Sequence, residues 1–481
     1  MHKADIAMIG LAVMGENLSL NIASKGFNVA AYDIDQKTVN RFEHGRAKGQ
    51  PIVACYTLED MVKQLKKPRI VMMMIRAGAP VDSVIERLIP LLEPEDIIID
   101  GGNSHYLDTI RRAAYVESKG MFFVGSGVSG GEEGALHGPS LMPGGSTKAW
   151  HNIQPIFEAI AADVKGEKCA AWMGSSGAGH FVKMVHNGIE YGDIQLIAEV
   201  YHFMLEILKL SHDEMSLIFK AWNQSELDSY LIEITGDILA YKDHDGSPLV
   251  TKILDTAGQK GTGKWTAITS LEENVPLTLI TEAVYARIMS SKKDERVHAS
   301  TLFPKEEVIF NGNKEEMIEN LRKALYAAKM MSYAQGFDLM RVAAKTYAWD
   351  LNYSHIAKIW RGGCIIRSQF LNNIHEAYEK NPELVNLMID PFFKQQITSL
   401  ITPFRKVIST AVMHGIPMPT LSAALNYFDT YTTAVLPANL TQAQRDYFGA
   451  HTYERIDKKG KFFHTDWTGR GGDTSSTTYN T

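Results

Sequence analysis

Short apolar runs alternating with amphipathic stretches dominate the first third of the chain, and this alternation narrows the fold more than any other feature. The runs IAMI, NVAAY, RIVMMMI, DIIID and MFFVG each have the length of a buried strand. Between them, residues 16–25, 57–66, 81–92 and 107–119 carry apolar residues at helical spacing. Adjacent parallel strands need a crossover of about a dozen residues, which a helix supplies. The pattern predicts β-α-β units with right-handed crossovers, wound into a doubly wound α/β sheet.

The first unit carries a further signal. GLAVMG at Gly10–Gly15 follows a strand and opens a helix, with Ala12 in the second glycine place. A tight turn there brings backbone N–H groups to a helix N-terminus, where a pyrophosphate can lie. Roughly 20 residues on, AAYDID ends the second strand in Asp33, a carboxylate placed to accept from a ribose 2′-OH. In this strand–turn–helix context the pattern points to a dinucleotide; an ordinary Gly-rich turn is the plain alternative. DIIIDGGNS at Asp96–Ser104 resembles another strand end opening into a ligand loop, and the Gly-rich segment Gly125–Gly145 interrupts the alternation.

From about Gly177 to about Ala434 long helical periods take over, which predicts an all-α region. Within it IFKAW at Ile218–Trp222 echoes IAKIW at Ile356–Trp360. KMVHNGIEYGDIQLI from Lys183 faintly echoes KMMSYAQGFDLMRV from Lys329, in the same order, so an internal duplication is open. The expected organisation is a Rossmann-type dinucleotide-binding domain at 1–177, a helical domain at 178–434 and a C-terminal arm at 435–481. The arm ends in GRGGDTSSTTYNT, too small and polar to fold alone. It is either a disordered tail or an element ordered against another subunit.

Composition excludes classes rather than choosing one. With 45% hydrophobic and 22% charged residues the chain reads as globular, and its net charge of −6 gives no global support for binding nucleic acid or membranes. A phosphorylated ligand would need a local basic cluster. The longest apolar run, Ile70–Ile75, is too short to span a bilayer. MHKADIAMIG enters a strand without room for a signal peptide, so a cytoplasmic protein is expected. Cys55, Cys169 and Cys364 lack metal or disulfide spacing and read as free thiols.

Two further segments carry chemistry. In GAGHFVKMVHNGIEYGD, residues 177–193, Lys183, His186, Asn187 and Glu190 fall at i, i+3, i+4 and i+7, one helical face flanked by Phe181, Val182, Val185 and Ile189. A lysine and a glutamate there can serve as base and acid if burial moves both pKa values toward neutrality. Spacing alone fits a solvated polar face equally well. GQKGTGKW at Gly258–Trp265 sets two lysines among glycines, which suits an anion but lacks the spacing of a nucleoside-triphosphate loop. Arg287, Arg445 and His451 are further cationic candidates; taken singly, each reads as an ordinary surface charge.

Taken together, GLAVMG, DGGNS, GSGVSGGEEGA, GPSLMPGG, GAGHFVKMVHNGIEYGD, GQKGTGKW, RGGCIIRS and QRDYFGAHTYER resemble the 6-phosphogluconate dehydrogenase family, from about Asp5 to the tail. The resemblance implies oxidative decarboxylation of 6-phosphogluconate to ribulose 5-phosphate and CO2, a step of the pentose phosphate pathway. It implies a nicotinamide cofactor and no metal. Lys183 would be the general base and Glu190 the acid that protonates C1 of an enediol. Asn103, Ser129, Gly130, Gly131, His186 and Asn187 would hold the sugar acid and the nicotinamide end, and Tyr191, Lys260 and Arg287 the phosphate. The cofactor would lie along Gly10, Leu11, Ala12, Val13, Met14 and Gly15, along Asp33, Ile34 and Asp35, and along Ile75, Arg76, Ala77 and Asn103. In the family a homodimer is implied, with Arg445 and His451 of the partner subunit completing the phosphate site and the arm threading through that partner.

One segment departs from the family. The resemblance implies Asn-Arg-Thr in NADP-dependent members where this chain has Asp33, Ile34 and Asp35, the arginine lying against the 2′-phosphate. Here the cation is gone and carboxylates stand in its place, so repulsion should favour NAD over NADP by roughly one to three decades. Arg76, at a usually basic family position, could restore some NADP use. The rival readings are a 3-hydroxyacid dehydrogenase of the hydroxyisobutyrate type and a non-catalytic dinucleotide-binding protein. The long second helical half and the set Lys260, Arg287 and Arg445 weigh against the first; Lys183 and Glu190 on one face weigh against the second.

Overall fold

The computed structural model describes residues 3–306, 308–471 and 475–476. The N-terminal part runs β1 (Ile6–Ile9), α1 (Val13–Ser24), β2 (Val29–Tyr32), α2 (Gln36–His44), β3 (Ile52–Cys55), α3 (Leu58–Gln64), β4 (Ile70–Met73) and α4 (Ala79–Leu88). It continues through β5 (Ile97–Asp100), α5 (Tyr106–Glu117), β6 (Phe122–Ser129), α6 (Gly131–His137), β7 (Ser140–Gly145) and α7 (Thr147–Ile160). The sheet order is β3-β2-β1-β4-β5-β6-β7. All pairs are parallel except β6 with β7.

Strand alternation explains why helices cover both faces. Ile6 and Met8 of β1 pack with Leu18 and Ile22 of α1 and Ile153 and Phe157 of α7, whereas Ala7 and Ile9 pack with Met61 of α3, Ile85 of α4 and Val116 of α5. Both faces are dry, so the strands read as continuous apolar runs. Between β1 and β4 the strand order reverses, and the carboxyl ends there open the crevice in which doubly wound folds bind ligands.

Two expectations are corrected. Strand β3, IVAC, was not among the expected runs; three of its four residues are only half-buried, at the sheet edge. The Gly-rich segment does not interrupt the sheet: it forms the strand β6, the short helix α6 and the antiparallel strand β7. Its glycines remove side chains where a long helix crosses the strands. A Cβ at Gly144 would lie 2.5 Å from the Gly179 nitrogen of that helix.

That helix, α8 (Ala178–Glu206), begins the helical part. It is followed by α9 (His212–Trp222), α10 (Tyr230–Ala240), α11 (Thr262–Glu272), α12 (Thr278–Ser291), α13 (Lys293–Leu302) and α14 (Lys314–Thr346). Then come α15 (Tyr353–Ile359), α16 (Leu371–Lys380), α17 (Pro391–Met413) and α18 (Pro419–Thr432). The echoing segments fall on the long–short pairs α8–α9 and α14–α15. α8 joins α14 through a buried ion pair, Lys329 Nζ to Asp193 Oδ2 at 2.5 Å, both side chains 1% exposed. An aromatic cluster of Tyr106, Phe181, Tyr347 and Trp349 ties α5 to the helices.

The chain through Ala424 forms one compact unit and the rest a second. In the second, α19 (Ala438–Gly449) precedes a hairpin of β10 (Tyr453–Arg455) and β11 (Lys458–Phe463). The buried Asp446 carboxylate accepts from the Thr452 and Thr465 backbone N–H groups and from Trp467 Nε1, each at 2.9–3.0 Å. Residues 472–474 and 477–481, most of the polar tail, lie outside the described residues. Among the described residues no helix is long and apolar enough to cross a membrane.

Candidate active site

A cavity of about 850 Å³ opens between the carboxyl ends of the sheet and the face of α8. Ala12, Val13 and Met14 line it from the first turn, Ile75 from the loop after β4, Asn103 from the loop after β5, and Ser129, Gly130 and Gly131 from the end of β6. Lys183, Asn187, Glu190 and Tyr191 enter from α8, Lys260 from the Gly-rich loop and Arg287 from α12. The structure thus brings together around one cavity most of the residues the sequence singled out.

The helical face is buried, not washed. Lys183 is 6% exposed, His186 0% and Asn187 7%. Lys183 lies against β6 where Gly127 has no side chain; a Cβ there would come 2.9 Å from Lys183 Cγ. Burial pushes the Lys183 ammonium below its usual value, with the Glu190 charge opposing. Burial pushes the Glu190 carboxyl above its usual value, against the charges of Lys183 and Arg287. The charged forms of both groups are disfavoured by the same cause, loss of water. His186 stands between them: its Nδ1 is 3.5 Å from Lys183 Nζ and 3.9 Å from Glu190 Oε2. Its Nε2 is 3.2 Å from Ser129 Oγ, and burial holds its pKa well below the usual value.

The cationic end is built around Tyr191. The Arg287 guanidinium lies 3.5 Å over that ring and donates to Gly258 O at 3.1 Å, and Lys260 lines the same cavity. An aromatic face holds a guanidinium flat and leaves its edge for an anion. Gln259, Thr262 and Ile365 also line the cavity. They were not singled out from the sequence, although GQKGTGKW and RGGCIIRS contain them.

The Gly-rich turn fits a dinucleotide. Gly10 has φ +96°, and a Cβ on it would lie 2.5 Å from Met74 O. The N-cap position of α1 is Ala12, which has no side-chain hydrogen bond, so the first N–H groups of the helix are not satisfied by a side-chain cap. Leu11 N–H donates to Asp33 Oδ2 at 2.7 Å, and Asp35 N–H to Asp33 Oδ1 at 2.9 Å. Gly10, Leu11 and Gly15 therefore shape the turn beneath the cavity wall. Asp35 caps α2, accepting from Lys37 N–H and Thr38 Oγ1, and Ile34 is 79% exposed. Arg76 and Ala77 follow Ile75 in the loop after β4 and do not line the cavity; Arg76 is exposed and makes no ion pair among the described residues. Arg445 and His451 belong to the second compact unit, where Arg445 donates to Gln442 Oε1 at 3.0 Å and His451 Nδ1 is 2.9 Å from Ser476 Oγ.

The three cysteines are free and buried, with burial pushing Cys55 and Cys169 to about 11 and Cys364 to about 12. No group of three or more His, Cys, Asp or Glu side chains among the described residues is arranged to hold a metal ion.

Comparisons with known proteins agree along the whole chain. Residues 5–174 match the NAD binding domain of 6-phosphogluconate dehydrogenase, and residues 179–467 match the 6-phosphogluconate dehydrogenase C-terminal domain. The chain is 59% identical over 479 residues to the decarboxylating 6-phosphogluconate dehydrogenase of Haemophilus influenzae, covering 99% of each. It is 56% identical over 482 residues to that of Homo sapiens, covering 100% of each. Plasmodium falciparum 6-phosphogluconate dehydrogenase, solved with its cofactor NADP+ and with its substrate 6-phosphogluconate, superposes with a TM-score of 0.94 at 43% identity, over 96% of this chain and 100% of that one. The chain belongs to the decarboxylating 6-phosphogluconate dehydrogenases, a family of oxidoreductases.

Proposed function

We propose that the enzyme converts 6-phosphogluconate to ribulose 5-phosphate and CO2 in this cavity, with NAD preferred over NADP. The observation that carries the chemistry is the pair of buried Lys183 and half-buried Glu190 on one face of α8, with pKa values displaced in opposite directions. Neutral Lys183 takes the proton of the C3 hydroxyl as hydride leaves C3. The bound nicotinamide supplies the acceptor for that hydride. Lys183, now protonated, polarises the new C3 carbonyl, which takes up the electron pair released as the C1 carboxylate leaves as CO2. Glu190 then delivers its proton to the enediol at C1 of the product, the former C2 of the substrate.

Asn103, Ser129, Gly130, Gly131, His186 and Asn187 hold the sugar acid and the nicotinamide end in register. Tyr191, Lys260 and Arg287 hold the phosphate. In this reading the enzyme is a cytoplasmic homodimer of the pentose phosphate pathway, and the partner subunit's Arg445 and His451 complete the phosphate site.

The NAD preference is supported by Asp33, whose carboxylate can accept from a ribose 2′-OH while repelling a 2′-phosphate, and by Ile34, which offers that phosphate no cation. NADP use, alone or beside NAD, is the second reading, favoured by Arg76, which has no ion pair among the described residues, and by NADP+ being the cofactor of the Plasmodium falciparum enzyme. The chemistry is tested by incubating the purified enzyme with 6-phosphogluconate and NAD or NADP. One CO2 should appear for each nicotinamide reduced; reduction without CO2, or none with either cofactor, refutes the reading.

A further inference from the structure

The two loops on the sheet side of the cavity meet backbone to backbone. Gly101 N–H donates to Met73 O at 2.9 Å, and a Cβ at Gly102 would fall 2.9 Å from Ile75 O. Beneath this seam lies Arg112 of α5, only 1% exposed and absent from the cavity wall. Its Nε and Nη2 form a bidentate pair with Asp82 at 2.9 and 3.0 Å, and Nη2 also donates to Gly78 O at 3.0 Å. Gly78 ends the loop after β4 and precedes α4. On the other side, Nη1 donates to Ser104 Oγ at 3.3 Å and Asp100 Oδ2 at 3.5 Å. Asp100, fully buried, accepts from Gly102 N–H at 3.1 Å and from Ser104 Oγ at 2.6 Å.

One guanidinium therefore divides its donors between two loops. A single carboxylate would satisfy a purely structural ion pair; here the donors reach the backbone of one loop and the side chains that shape the other. Arginine's planar fork suits this, since its donors point in fixed directions that a lysine cannot reproduce.

We propose that Arg112 is a positioning residue for hydride transfer, setting the separation between the loop that carries Ile75 and the loop that carries Asn103. The inference rests on the function proposed above. Arg112 does not line the cavity, so its replacement removes no ligand contact, whereas transfer depends on the separation it sets between the two loops. A misplacement of about 1 Å can cost roughly a hundredfold in rate.

The test is Arg112→Lys in the full-length enzyme, with Arg111→Ala as control. Arg111, 57% exposed, shares Asp82 without reaching either loop. For Arg112→Lys, kcat should fall roughly ten- to a hundredfold, and the isotope effect on kcat with substrate deuterated at C3 should rise as transfer becomes limiting. Binary dissociation constants for NADH, by fluorescence, and for 6-phosphogluconate, by calorimetry, should stay within about threefold. Arg111→Ala should change none of these. An unchanged kcat and isotope effect would overturn the proposal, as would a fall in kcat matched by an equal loss of NADH affinity. If Arg112→Lys does not fold, Ser104→Ala removes one arm of the clamp and should raise the isotope effect; no rise overturns the proposal. Wild-type enzyme that does not turn over 6-phosphogluconate would instead sink the proposed function.

Discussion

Leu11 N–H donates to Asp33 Oδ2 at 2.7 Å, so the Gly-rich turn and the acid ending β2 form one hydrogen-bonded unit. In the proposed reading this carboxylate meets the ribose edge of NAD, and its charge opposes a 2′-phosphate. Asp33→Asn keeps an acceptor for Leu11 and removes the charge. We expect kcat/KM with NADP to rise roughly tenfold and that with NAD to fall less. Adding Ile34→Arg should raise the NADP value further. Steady-state kinetics with both cofactors check this; an unchanged ratio in Asp33→Asn would speak against it.

The role proposed for Lys183 as base needs its neutral form, which burial favours by pushing the pKa below its usual value. Lys183→Met should lower kcat by about 10²–10⁴ with folding intact. Lys183→Arg, which keeps a cation that cannot be deprotonated, should be no better. Activity near wild type in the arginine variant would remove Lys183 from the role of base.

The Glu190 charge holds the Lys183 pKa up against burial. Glu190→Gln removes that charge, so the lysine pKa should fall and its neutral form persist to lower pH. The acid limb of kcat/KM for 6-phosphogluconate should therefore move to lower pH, even as turnover drops for want of the C1 proton donor. Because the two groups titrate as a coupled pair, the limb is read as a property of the pair. A limb that stays in place or moves up would contradict the assignment.

The buried pair Lys329–Asp193 joins the two longest helices. Lys329→Met strands a buried carboxylate and should destabilise the enzyme by about 3–5 kcal/mol, seen as a lower denaturation midpoint. Adding Asp193→Asn should recover part of the loss. Equal midpoints for all three proteins would mean the pair carries no stability.

Arg445 and His451 are proposed to serve the partner's phosphate site. Arg445→Ala or His451→Ala should raise KM for 6-phosphogluconate strongly, with a smaller loss in kcat. Mixed dimers of Lys183→Met and Arg445→Ala chains should recover a kcat/KM that neither has alone, since one site in each mixed dimer is intact. No recovery, with KM unchanged in the single variants, would place these residues outside the site.

The sheet and its first turn were legible because strand–turn–helix signals are local: GLAVMG and AAYDID announce a turn and an acid within one β-α-β unit. The α8 face was legible in spacing but not in burial, since only packing against β6 and α11 decides whether Lys183 and Glu190 lose water. Gly125–Gly145 misled because a Gly-rich strand has no side-chain alternation to read, although its backbone pairs in register from Val124 to Ser129. Arg112 was illegible for a different reason. In IRRAAY nothing distinguishes it from Arg111, and only tertiary contact separates a clamp between two loops from an exposed charge.

The most direct measurement is kcat/KM on 6-phosphogluconate with NAD and with NADP, made on the wild-type enzyme at one ionic strength. NAD should be used more efficiently, by roughly ten- to a thousandfold. Greater efficiency with NADP would contradict the role given to Asp33, Ile34 and Asp35.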